Sequence, residues 1–199
     1  GKSALMIDGA RRVGKSTIAE VFAKNEYDDY LLIDFVNASK DIKDNFDNLG
    51  NMDVFFRNLF LFAGKGLKSS NSVIIFDEVQ KFPRAREAIK YLVKDGRYHY
   101  IETGSLISIK KKSQEIVIPS EEDKRKMYPM DFEEFLWATG DNVTAPFIKD
   151  CFEKRIPMGD KLHRKIMTTF RTYFAIGGMP QVIEAFVQGK NYQEIDMIK

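Results

Sequence analysis

Two glycines five positions apart, then a lysine and two hydroxyls, stand in the stretch GARRVGKST, Gly9 to Thr17. The pattern Gly9-x-x-x-x-Gly14-Lys15-Ser16 is the spacing of a loop that holds a chain of phosphates. Glycines let successive peptide N–H groups turn inward and let an anion approach the backbone closely. A helix starting near Lys15 aims its unpaired N–H groups and positive dipole end at the same charge. On this reading Lys15 reaches the β- and γ-phosphates, Ser16 binds Mg²⁺, and Thr17 adds a hydrogen bond to the α-phosphate. Gly9, Ala10, Val13 and Gly14 complete the cradle; Arg11 and Arg12 either approach the nucleotide or solvate the loop.

The sequence holds a second half for such a site. The apolar run VIIFDEVQ (73–80) ends in two carboxylates. Asp77, at the carboxyl end of a strand, faces the crevice where α/β sheets bind ligands, and is expected to hold Mg²⁺ beside Ser16. Glu78 is expected to act on the attacking water as a general base. A kinase does not need that second acid, so the pair favours hydrolysis. The stretch YHYIETGS (98–105) ends in Thr103 and Ser105; Thr103 is expected to meet the γ-phosphate or orient water, and Ser105 either does the same or caps a following helix.

These groups need a scaffold, and the apolar pattern supplies one. ALMID (4–8), YLLIDF (30–35), VIIFD (73–77) and YHYIET (98–103) are short and rich in β-branched and aromatic residues. Strands apolar on both faces belong to a parallel sheet covered by helices. Helical patterns at 15–26, 52–63 and 84–94 alternate with them, which predicts an α/β fold with a doubly wound parallel sheet. Residues 109–129 are charged and contain two prolines; they read as a loop, a short strand at EIVIP (115–119) and a return segment. From residue 131 the spacing turns helical, with helices expected near 131–138, 145–155, 160–175 and 180–188. The expected division is a core over 1–140 and a helical part over 141–199.

Composition adds limits. The chain has 199 residues, 44% of them apolar, with a net charge of only +2, so no overall field demands nucleic acid or an anionic membrane. The most apolar stretch, VFFRNLFLFA (54–63), is too short to span a bilayer and carries Arg57 and Asn58. Cys151 is the single cysteine and forms no internal disulfide, which fits a reducing cytosol. The ends read as cut from a longer chain. His99 and His163 have no metal-ligand spacing, and the basic runs 110–112 and 124–126 read as solvated. Trp137, with Phe132, Phe135 and Leu136, is expected to pack a helix against the core.

The blocks GARRVGKST, FDEVQKFP, ETGSLI, YPMDFEEFLWATG and YFAIGGMPQVIEAF occur in the order of a family of bacterial and archaeal AAA+-type P-loop ATPases, which the chain resembles over nearly its whole length. That family resembles the STAND and archaeal-ATPase branch, and its members commonly carry a further C-terminal domain. The resemblance gives Lys15 and Ser16 the Walker A roles, Asp77 and Glu78 the Walker B roles, and Thr103 or Ser105 that of a sensor of the γ-phosphate. It implies ATP as the nucleotide with Mg²⁺ as its metal, and a lid after residue 130 with GGMP at a turn between helices. Self-association or the C-terminal domain are the partners it suggests. Arg12 stands where glutamine is usual, and Glu102 where an apolar residue is. Arg84, Arg86, Arg125 and Arg171 are all candidates for an arginine finger. A nucleotide-gated switch and a P-loop kinase remain the alternatives to an ATPase.

Overall fold

The computed structural model describes residues 3–68, 71–105 and 120–198. The chain divides into two compact units, Gly1–Met127 and Tyr128–Lys199. The first is an α/β unit whose strands are β1 (Ala4–Gly9), β2 (Asp29–Asp34), β3 (Ser72–Asp77), β4 (His99–Ser105) and β5 (Glu122–Met127). All pair in parallel in the order β2-β3-β4-β1-β5. The helices α1 (Lys15–Glu26), α2 (Lys40–Asn45), α3 (Met52–Ala63) and α4 (Pro83–Asp95) connect them.

Every residue of β3 is buried, as the unbroken apolar run requires of a strand covered on both faces. On one face, Ala19 and Ala23 of α1 meet Val73, Ile75 and Ile101; side chains this small let the helix sit close on the sheet. On the other, Phe35, Phe46, Phe55, Phe76 and Phe82 interlock, largely edge to face, under α3 and α4. Asn51 caps α3 by accepting from the N–H groups of Asp53 and Val54. The order has one consequence for chemistry: β4 lies between the strand that enters the phosphate-type loop and the strand that carries the acidic pair.

The observed fifth strand differs from the expected one. EIVIP (115–119) lies outside the described residues. The strand is formed by EDKRKM (122–127), read from sequence as a return segment, pairing with β1 from Ala4↔Glu122 to Gly9↔Met127. Its charges fit its place at the edge of the sheet, where lysine and arginine point to water.

The second unit contains α5 (Phe132–Ala138), α6 (Thr144–Lys154), α7 (Asp160–Ile176), α8 (Pro180–Val187) and α9 (Tyr192–Asp196). Phe135, Ile176, Val182, Ile183 and Ile195 form its core. Trp137 does not join them; it is 51% exposed, while Phe135 and Leu136 carry the burial expected of the group. Two sequence blocks meet here: Met130 N donates to Gly178 O at 2.7 Å, and Tyr173 Oη donates to Met130 O at 2.9 Å. Among the described residues, no helix is long and apolar enough to cross a membrane.

Candidate functional site

The loop between β1 and α1 is built from unusual backbone. Arg12 has φ 67° and Gly14 φ 94°, both left-handed. Glycine adopts that conformation freely; arginine does so at a cost of about 1–3 kcal/mol, of the kind found where a loop's shape serves a function. Gly9 is needed for a different reason: a Cβ there would lie 2.3 Å from Met127 O of β5. Lys15 opens α1, yet its side chain folds back and is only 4% exposed. Its Nζ donates to Ala10 O at 2.8 Å and to Gly9 O at 3.4 Å, so the ammonium sits inside the loop.

The acidic pair meets this loop. Ser16 Oγ donates to Asp77 Oδ1 at 2.6 Å, and Thr103 Oγ1 donates to the same oxygen. The register explains the meeting: Phe76 is level with Glu102, so the next step along both strands brings Asp77 level with Thr103. Thr103 also accepts from Glu78 N at 3.2 Å. Glu78 itself is left-handed, with φ 56° and ψ 44°, which turns the chain out of the strand as the acidic pair ends. Its carboxylate accepts from Gln80 Nε2, and Gln80 Oε1 accepts from Ser105 N at 3.3 Å.

So Lys15, Ser16, Asp77, Glu78 and Thr103 occupy one edge of the sheet, at the carboxyl ends of β1, β3 and β4. Gln80 belongs with them and was not singled out from sequence, since a glutamine two residues after the acids carries no periodic or spacing signal. Of the arginines, Arg86 is committed elsewhere: it is buried and pairs bidentately with Glu122 at 2.6 Å through both Nε and Nη2. Arg84 pairs with Asp47 and Arg125 with Asp123, all four exposed. His99 shares a hydrogen bond with Tyr27 Oη at 3.0 Å, and burial holds its pKa below the ordinary value.

A parallel sheet in this order, with a phosphate-type loop and an acidic pair at its carboxyl edge, defines a P-loop NTPase of AAA+ type. Residues 1–136 match the AAA domain family, and the chain belongs to it. No curated protein sequence matches the chain. Among solved structures, it is similar to a signal transduction ATPase with numerous domains (STAND), with a tetratricopeptide repeat sensor, from Pyrococcus horikoshii, at 14% identity and a TM-score of 0.54. That likeness covers 100% of this chain and 30% of the other. A second similar structure is the Aeropyrum pernix ORC1 protein in complex with DNA, at 10% identity and a TM-score of 0.42, covering 67% of this chain and 41% of that one. The chain therefore spans less than half the length of either.

Proposed function

We propose that this chain binds ATP with Mg²⁺ and hydrolyses the bond between the β- and γ-phosphates. The observation that carries the reading is the hydrogen bond from Ser16 Oγ to Asp77 Oδ1, between residues 61 apart in sequence. It joins the hydroxyl and the carboxylate whose types suit a magnesium nucleotide, beside a loop shaped for an anion. Both donors are hard oxygens, the preference of Mg²⁺, so Ser16 and Asp77 are the residues that would hold it. When bound, the ion would neutralise phosphate charge.

The chain's own residues do the rest. Lys15 exchanges its loop carbonyls for phosphate oxygens, a short swing for an ammonium already in the cradle. The peptide groups of Gly9, Ala10, Arg11, Arg12, Val13 and Gly14, with Thr17, wrap the phosphate chain. Thr103 fixes Asp77 and the backbone of Glu78. Glu78 takes a proton from water as the water oxygen bonds to the γ-phosphorus; the bond to the bridging oxygen breaks, leaving ADP and phosphate. The preference for adenine follows the family resemblance.

Two variants test this. Lys15→Ala is expected to lose nucleotide binding, measured by calorimetry. Glu78→Gln is expected to bind ATP as before and to lose at least about 100-fold in turnover. Full turnover by Glu78→Gln would remove Glu78 from its role. Release of less than one phosphate per protein over hours, with nucleotide retained, would turn the reading to a nucleotide-gated switch. Transfer of labelled γ-phosphate to anything but water would make the protein a kinase.

A further inference from the structure

Gln80 presents a buried primary amide with both ends engaged. It lies in the short turn Val79–Lys81 and is 8% exposed. Nε2 donates to Glu78 Oε2 while Oε1 accepts from the peptide N–H of Ser105 at 3.3 Å. These partners fix the amide's orientation, because a carboxylate accepts and a peptide N–H donates. Glu78 is thus tied to β4 twice: its backbone N–H through Thr103, and its carboxylate through Gln80 to Ser105.

We propose that Gln80 is the positioning residue of Glu78, setting its carboxylate for water and coupling it to the end of β4. The inference rests on the reading of Glu78 as the base. An untethered glutamate samples several rotamers, and catalysis requires one. With Oε2 held by the amide, Oε1 is left to take the proton. Because Ser105 N holds the other end of the amide, a shift of β4 at Ser105 moves Gln80 and, through it, the base.

The test uses two substitutions. Gln80→Ala removes both hydrogen bonds. Gln80→Glu keeps an acceptor for Ser105 N but sets a second carboxylate against Glu78. Both are expected to lower kcat for ATP roughly 10- to 100-fold, with KM and the ADP dissociation constant within about twofold. On a Glu78→Gln background, Gln80→Ala is expected to cost almost nothing further, since the residue it positions is gone. The ¹³C carboxyl signal of Glu78 in nucleotide-free protein, identified by its loss in Glu78→Gln, is expected to shift in both variants. Unchanged kcat, a loss carried by KM, or a full additional loss on the Glu78→Gln background would each overturn the proposal. If the wild-type chain does not hydrolyse ATP, the reading of Glu78 as base fails by itself; an unmoved carboxyl signal then overturns the link to Gln80, and a shifted one upholds it.

Discussion

Thr103 joins the two members of the acidic pair. Its hydroxyl donates to Asp77 Oδ1 and accepts from Glu78 N, so one oxygen holds both members of the acidic pair. Its side chain is fully buried, where a broken hydrogen bond is not replaced by water. Thr103→Val keeps the shape and deletes both bonds. It is expected to cost about 1–3 kcal/mol in urea unfolding, for the N–H of Glu78 left without a partner, and to reduce ATP turnover. Thr103→Ser keeps the hydroxyl and should restore most of both. Equal unfolding midpoints for Thr103→Val and wild type would show that the hydroxyl carries no such burden. At this scale the sequence was legible where chemistry imposes spacing. Gly9, Gly14, Lys15 and Ser16 stand at the intervals that a loop proposed to hold a phosphate chain requires, and the carboxylates close an apolar strand. Gln80 was hidden, because its role comes from a turn that folds it back between Glu78 and Ser105.

The elements show the same division between pattern and packing. Helices α1 and α3 fall on the residues that their periodicity predicts, 15–26 and 52–63. By contrast, β5 is written in charged residues with no apolar alternation; its pairing with β1 makes it a strand, and pairing leaves no mark on side-chain types. Helix α2 is only six residues, set by Ser39 accepting from Ile42 N, too short for a periodic signal. In the second unit the GGMP block works through its backbone. A Cβ on Gly178 would lie 2.1 Å from Met130 O, where Gly178 O already accepts from Met130 N. Gly178→Ala must therefore break the joint between the segment entering α5 and the turn between α7 and α8. Backbone cannot yield as a side-chain tip can, so the expected cost is about 2–4 kcal/mol, with lost amide-exchange protection at Phe135 and Val182. Gly189, where no atom of the described residues beyond its chain neighbours lies within 4 Å of the added Cβ, supplies the contrast. Its φ of 81° makes Gly189→Ala strained, but without collision, and its cost should be smaller, about 1–2 kcal/mol. Protection at Phe135 and Val182 unchanged in Gly178→Ala would refute the joint.

The pH dependence of the α/β unit's stability is governed in part by a buried acidic cluster on the α4 face of the sheet. Glu102 of β4 is fully buried beside Glu122 of β5, whose carboxylate is engaged by Arg86 of α4. Asp8 of β1 is also buried, and neither carboxyl oxygen has a hydrogen-bond partner among the described residues. Among the described residues, Arg86 is hydrogen-bonded to Glu122 alone, while Glu102 and Asp8 feel its charge without a hydrogen bond to it. Burial, and then the charge of Glu122, raise the pKa of Glu102 well above its ordinary 4.5, with Arg86 and Lys124 acting the other way. The sign follows from proton counting. Above pH 4.5 the unfolded chain has released this proton and the folded chain retains it, so stability falls as pH rises from 4.5 toward the raised value. Glu20 and Asp29 act oppositely, because their hydrogen bonds lower their pKa values; what they contribute is lost as pH falls through the acid range. Their effect ends where that of Glu102 begins, which separates the two. In the range that begins above pH 4.5 and ends at the raised value, one retained proton contributes a slope of up to about 1.4 kcal/mol per pH unit. Glu102→Gln replaces the protonated acid by an amide that never ionises. It is expected to flatten the dependence of urea-unfolding stability on pH in that range, followed by circular dichroism, and to leave the loss below pH 4 in place. Parallel curves for the variant and the wild type would mean that Glu102 is ionised in the folded protein, in which case the cluster must hold its charge by contacts other than those between Arg86 and Glu122.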